Sequence, residues 1–349
     1  MKKGIFMTII SLVLIFSLVA CNSSKPSDTN AGGEEVDSGS KVSMTLSIPD
    51  PESSSIGQAA SEFAKRVNEE SNGSIEMKVY ANGSLYGGDP AAAVKQLGAG
   101  SLDALILSTS LYANFIPEFN VISIPYLYDD TDQFVEYLNS DLGDELLASL
   151  DELGIKGTGL WTRSFRQITN SKKAINEPAD LKGVKLRVPN NPLWVEYFKA
   201  TGAVPTPMAF GEVYNALQLS TIDGQENPVD VPMSSKFYEV QDYLTMSNHM
   251  ADGWIVGFNQ EKFNKLSSEQ QELLIQISKE MQEWKLDYDN EQDEQIIEQL
   301  VDEGMEMNTI SEENREKFIE VSKGLYDKFA ELVKNDEFFQ KTLEFVGKN

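Results

Sequence analysis

Polar and apolar residues alternate along Lys41-Val-Ser-Met-Thr-Leu-Ser-Ile48, the two-residue repeat of a half-buried strand. Pro49 and Pro51 stop it. Gln58 to Glu70 follows a helical repeat through Ala59, Phe63 and Val67, closed by Asn72-Gly73. Ser74 to Tyr80 reads as a second strand, Ala91 to Leu97 as a helix and Ala104 to Leu107 as a short buried strand. The rhythm returns after Leu153, around Gly157 to Trp161 and Lys185 to Val188. A strand–helix rhythm predicts an α/β protein with a largely parallel sheet flanked by helices. Two such lobes side by side leave a cleft, where small-molecule sites usually lie.

From Ser267 the pattern changes. Ser267-Ser-Glu-Gln270 fits a capping box, and neither Gly nor Pro then occurs before Gly304. A helix of roughly 35 residues would be about 50 Å long, more than one lobe. It is either a spine across both lobes or two helices meeting near Trp284 to Asp289. Glu312 to Val333 and Glu337 to Phe345 read as further helices.

The N-terminus has a different character. Lys2 and Lys3 precede an apolar run from Ile5 to Val19, of signal-peptide length and too short for a confident membrane span. Leu18-Val-Ala-Cys21 then has the form of a bacterial lipobox, and Cys21 is the sole cysteine. Residues 1–20 are therefore expected to be a lipoprotein signal peptide. Cys21 is the expected lipidated N-terminus, anchoring the protein at the outer face of the cell membrane. Up to residue 41 the chain is Ser, Pro, Asp, Gly and Glu with few apolar residues, the composition of a flexible tether.

Charge and chemistry narrow the function. The 349 residues hold 29 Lys and Arg against 55 Asp and Glu, a formal net charge of −26. Such a surface excludes nucleic acid as a partner, yet a few buried arginines can still create an anion site in a cleft. There is one histidine, His249, and no nucleophile elbow, phosphate loop or dinucleotide fingerprint. One His and one lipidated Cys argue against a zinc or copper site. Asp287, Asp289, Glu291 and Asp293 resemble a calcium loop but lack its glycine and fall in a helical stretch. No catalytic residue, metal or cofactor is assigned. The chain reads as a binding protein rather than an enzyme.

Longer blocks then become recognisable: Asp180-Leu-Lys-Gly-Val-Lys-Leu-Arg-Val-Pro189, Gly202 to Gln218, Ile222-Asp-Gly-Gln-Glu-Asn-Pro228, Lys236 to Gln241 and Leu244 to His249. Gly83-Ser-Leu-Tyr-Gly-Gly88, Gly100 to Asp103 and Pro117-Glu118 add to them. Together these closely resemble the extracytoplasmic solute receptors of TRAP transporters. The resemblance implies a two-lobed fold like that of type II periplasmic binding proteins, with a long helix spanning both lobes. The expected lobes are residues 42–163 plus 253–292 and residues 164–252 plus 293–345. The implied partners are a small organic acid, such as a hexuronate or a C4-dicarboxylate, and the permease subunits of a TRAP-type secondary transporter.

The resemblance also implies a carboxylate clamp of Arg187, Arg166 and Asn227. A guanidinium offers a planar fork that fits a carboxylate through two parallel hydrogen bonds. The residues alone leave a structural salt bridge equally open for Arg187. Arg163 competes with Arg166 but, three residues away in a strand, would point to the opposite face. Asn190 and Glu212 are further ligand candidates, as is Asp89, which lies in a loop that lines the site in relatives. Trp161 and Phe210 are candidates for cleft walls or core. Ser108 and Leu111 stand where sialic-acid binders place Glu and Arg, which disfavours that ligand. A receptor for an ABC importer and a secreted two-lobed enzyme are the competing readings.

Overall fold

The computed structural model describes residues 41–349. The signal-like segment, Cys21 and the tether up to residue 40 lie outside the described residues. Eleven strands form two sheets among the described residues. The first contains β1 (Val42–Ser47), β2 (Ile75–Tyr80), β3 (Ala104–Ser108), β4 (Ile155–Thr162) and β10 (Gly253–Asn259), in the order β2-β1-β3-β10-β4. The second contains β5 (Gln167–Asn170), β6 (Lys185–Val188), β7 (Val204–Pro207), β8 (Gly224–Asn227), β9 (Tyr243–Met246) and β11 (Glu306–Thr309), in the order β11-β9-β5-β8-β6-β7.

The sheets are mixed, which corrects the expectation of a largely parallel sheet. β1 pairs in parallel with β2 and β3, as the strand–helix rhythm predicts, but β10 enters antiparallel between β3 and β4. In the second sheet β6 pairs in parallel with β7 and β8, whereas β5 runs antiparallel to β8 and β9. The antiparallel pairs involve the strands at which the chain passes from one sheet to the other. Such a strand enters without the crossover helix that makes neighbours parallel.

The helix Ser268–Asp302 is continuous. Its start is held as the sequence predicts: Gln270 N–H donates to Ser267 Oγ (3.2 Å) and Ser267 N–H to Gln270 Oε1 (3.1 Å). Leu274, Ile277 and Met281 pack into the core of the first sheet with Phe63 and Trp161. Ile296, Ile297 and Leu300 pack instead with Leu244 of β9 and with Met305. The helix is thus a spine shared by both lobes. Its approach to β4 needs Gly159, where a Cβ would lie 3.0 Å from Ser278 O. The C-terminal stretch is broken at Gly324-Leu325 into Glu312–Lys323 and Tyr326–Val333, followed by Asp336–Phe345. These helices return to the Pro117–Ser123 region, where Ser322 Oγ donates to Pro125 O (2.7 Å) and Tyr137 Oη lies 3.0 Å from Thr342 Oγ1.

Midway along the spine, Lys285 and Asp289 form a buried ion pair, and the Ser55 hydroxyl also donates to Asp289. Removing one partner strands a buried charge, which costs far more than the pair contributes. Lys285→Ala is expected to lower unfolding stability by about 3–5 kcal/mol at pH 7, and Lys285→Met with Asp289→Leu to recover most of it. Urea unfolding of the two variants checks this.

Candidate ligand-binding site

Two short links carry the chain between the sheets, residues 163–166 after β4 and residues 247–252 before β10. They run side by side: Arg166 N–H donates to Met250 O (3.0 Å) and His249 N–H to Arg166 O (3.3 Å). Arg163 and Arg166 therefore lie in a link, not a strand, and the opposite-face argument does not separate them. Both turn to the same acceptors. They donate to Asn227 Oδ1 at 3.1 and 2.8 Å, and to Asp252 Oδ2 at 3.2 and 3.3 Å.

Arg166 is the more fully committed of the two. Its Nε donates to Glu226 Oε2 (2.5 Å), and its Nη2 to Glu226 Oε1 (3.1 Å) and the Glu226 carbonyl (2.7 Å). The guanidinium lies 4.5 Å from the Trp194 ring centroid and is 1% exposed. Burial pushes the Glu226 carboxyl up, but Arg166 and His249 outweigh it and hold it below the ordinary range. Burial holds His249 below its ordinary value, so it is neutral at pH 7. Its Nε2 lies 3.3 Å from Glu226 Oε2 and its Nδ1 2.8 Å from Ser247 Oγ. The lone histidine is a hydrogen-bonding prop for the arginine cluster.

Arg187 is different. In β6 its neighbours Leu186 and Val188 are fully buried in the core, and strand alternation sends Arg187 the other way. Its Nε and Nη2 both donate to Met208 O, at 3.2 and 2.9 Å, its only hydrogen bonds among the described residues. Burial lowers its pKa from 12.5 to about 10, with Arg166 and Arg163 pressing the same way against Glu226 and Asp50. It remains a cation at neutral pH with most of its donors unused. Such a group, 4% exposed, is costly until something accepts from it.

Arg187 faces two adjoining chambers of about 40 and 60 Å³ that share Pro49, Leu111 and Phe210. That volume limits an occupant to a small molecule. The first chamber brings Arg187, Arg166 and Asn227 together, with Arg163, Asp50 and Asp252. Asn190 lines the second, beside Tyr86 and Met208. The structure does not bring in Asp89, which is exposed and caps the helix Pro90–Gly98 by accepting from the N–H groups of Ala91 and Ala92. Nor does it bring in Glu212, exposed in a short turn whose neighbours Phe210 and Gly211 do face the second chamber. Trp161 is core, its indole donating to Ser278 O at 2.7 Å, whereas Phe210 walls both chambers 6.0 Å from the Arg187 guanidinium.

Asp50, Tyr86 and Asp252 are the residues that sequence reasoning missed, and Arg163 is the one it set aside. Asp50 carried a usable signal. It follows β1 at the carboxyl end of a strand in an α/β sheet, where ligands gather. Asp252 offered none, since its partners Ser108 (2.8 Å), Thr109 (2.9 Å) and the two arginines are distant in the chain.

A larger hollow, of about 520 Å³, shares only Arg163 with the first chamber. Its lining includes five carboxyl residues, Asp129, Asp130, Asp289, Asp293 and Glu312, against two arginines, Arg163 and Arg315, an acidic balance less suited to an organic acid. The smaller chambers, by contrast, hold Arg187, a buried arginine with most of its donors free. Arg166→Met, which leaves the buried Glu226 carboxylate without its arginine, is expected to destabilise the ligand-free protein by about 3–5 kcal/mol. Arg187→Met, which removes a poorly partnered buried charge, is expected to leave stability within about 1 kcal/mol or to raise it. Urea unfolding at pH 7 separates the two arginines.

Comparison with known proteins identifies the family and the fold. Residues 46–332 match the family model for bacterial extracellular solute-binding protein, family 7. The 2,3-diketo-L-gulonate-binding periplasmic protein of Escherichia coli is 34% identical over 251 residues, covering 72% of this chain and 76% of that one. The C4-dicarboxylate-binding protein of Bacillus subtilis is 34% identical over 244 residues, covering 70% and 69%. The sugar acid binding protein of Advenella mimigardefordensis, solved with galactonate, superposes with a TM-score of 0.85 at 31% identity, over 88% of this chain and 99% of that one. The two-lobed α/β fold with its long helix is that of these structures. With a match spanning nearly the whole described body, this chain belongs to family 7 of the bacterial extracellular solute-binding proteins and is a TRAP-type solute receptor, not an enzyme.

Proposed function

We propose that this receptor captures a small organic acid by its carboxylate on Arg187 and delivers it to the permease subunits of a TRAP-type secondary transporter. The observation that carries the reading is the buried Arg187 guanidinium, spending its donors on a single carbonyl while facing both chambers. A ligand carboxylate would accept from its free edge in the charge-assisted geometry that guanidinium favours. Arg166 and Asn227 complete the clamp from the side. Arg166 adds positive field, and Asn227 Oδ1 holds both Arg163 and Arg166 in place. Asn190 borders the second chamber, over the part of the ligand beyond its carboxylate. Asp89 and Glu212 stay outside this clamp.

The ligand class we propose is a sugar acid such as a hexuronate, or a C4-dicarboxylate. Support comes from the ligands named for relatives, 2,3-diketo-L-gulonate and C4-dicarboxylates, and for fold neighbours, galactonate and succinate. Asp50 and Ser108 reach the chamber from the first sheet's segments, Arg187 and Asn227 from the second. A ligand touching both sides stabilises the closed arrangement by its differential contacts, and the closed form is the one we expect to dock on the permease.

The test is calorimetry and thermal shift against sugar acids and dicarboxylates. Arg187→Ala is expected to bind roughly 100-fold more weakly, and Arg187→Lys to lose most affinity, both with wild-type circular dichroism. Full affinity in folded Arg187→Lys would sink the anchor. Recovery of the acid chemically unchanged distinguishes capture from turnover. We further propose that Cys21 is acylated and that residues 22–41 tether the body to the membrane. Expressed in a bacterial host, the full chain is expected in the detergent phase on phase separation and Cys21→Ser in the aqueous phase; equal partitioning would count against the anchor.

A further inference from the structure

The Asp50 carboxylate is 4% exposed and makes no hydrogen bond or salt bridge to any described residue, yet it lines the chamber that holds three arginines. Burial raises it from 3.8 to about 6, the arginines offsetting part of the rise, so it is mostly ionised at neutral pH. The adjoining chamber holds a second unpartnered group. The Tyr86 hydroxyl is buried with no hydrogen-bond partner, and its pKa is raised by burial and then by the charge of Asp50. Tyr86 lines the adjoining chamber. It is packed there against Gly83, whose φ of +61° and missing side chain make the room, since a Cβ would meet the Tyr86 ring at 2.9 Å. Eight buried side-chain polar atoms lack a partner among the described residues; of these only the Tyr86 hydroxyl lines either chamber beside Arg187.

The charges set what can meet them. Arg163, Arg166 and Arg187 face Asp50, Glu226 and Asp252, so the arginines are matched before a ligand enters. Arg163 and Arg166 are already engaged by Asp252, Glu226 and Asn227. Arg187 alone has most of its donors free to answer a further anion. An ionised carboxylate accepts hydrogen bonds and cannot donate them, and a second carboxylate near it is repelled unless one of the two takes up a proton. A hydroxyl, in contrast, donates to Asp50 and accepts from Tyr86.

Building on the Arg187 anchor proposed above, we infer that Asp50 and Tyr86 form a hydroxyl-reading subsite, which makes the receptor select polyhydroxylated monocarboxylates over dicarboxylates.

The test uses matched acids that differ at one terminus, galactonate with galactarate and erythronate with meso-tartrate, titrated into the purified protein by calorimetry. Wild type is expected to bind the hydroxyl-ended member of at least one pair roughly tenfold or more tighter than its diacid. Asp50→Asn, which removes the charge and supplies an N–H, is expected to shrink or invert that ratio. Tyr86→Phe, which deletes an unpartnered hydroxyl without disturbing packing, is expected to weaken the hydroxyl-ended acid severalfold, and it serves if Asp50→Asn does not fold. Equal or tighter binding of the diacids by wild type, or an unchanged ratio in folded Asp50→Asn, would overturn the subsite while leaving the anchor intact. Binding that survives Arg187→Ala would overturn the anchor itself. Failure of all four acids to bind wild type would overturn both.

Discussion

The buried guanidinium of Arg166 is the constraint around which the site is arranged. It sits where two links cross between the sheets, and a charge removed from water there must be neutralised and hydrogen-bonded in place. Glu226 supplies that from β8 of the second sheet, and Asp252 from the end of the link that enters the first. One side chain thus ties both links and both sheets to a common point. Because Glu226 is spent on Arg166 and His249, and Asp252 on Arg163, Arg166 and two hydroxyls, neither carboxylate closes an ion pair with Arg187. The receptor keeps one arginine unsatisfied by satisfying the others.

That division answers how a chain of net charge −26 attracts an acid. The surface charge is spread through solvent and screened beyond about 10 Å at ordinary ionic strength. Inside the chambers the local balance of guanidinium and carboxylate decides, because screening is weak there and the polar groups are already oriented. The larger acidic hollow alongside makes the same point from the other sign. It is the larger space, yet its carboxyl groups outnumber its arginines.

The design also gives the ligand something to change. In its absence Arg187, Asp50 and Tyr86 hold buried polar atoms with few or no partners, a state that folding tolerates at a cost. A ligand that supplies those partners gains from groups whose desolvation is already complete. The same groups belong to segments of both sheets, so on the proposed reading a ligand that fills them would favour the arrangement that brings the sheets together.

Much of this was legible in the chain. The alternation from Lys41 to Ile48, the parallel start of the first sheet and the capping box at Ser267 are local patterns, and local patterns follow from side-chain periodicity and backbone donors within a few residues. The blocks around Arg187 and Asn227 named the family because they are contiguous. Tertiary structure alone decided that the spine was one helix, because its continuity past Trp284 rests on packing against both lobes. It also decided that β10 and β5 run antiparallel, because their partners are remote in sequence. And it decided which of many acidic and basic residues share a chamber. Arg163 and Arg166 converge because they sit in a link rather than a strand, and Asp50 was left without a partner. Residue type sets what a side chain can donate or accept; only the folded chain decides what is left to receive it.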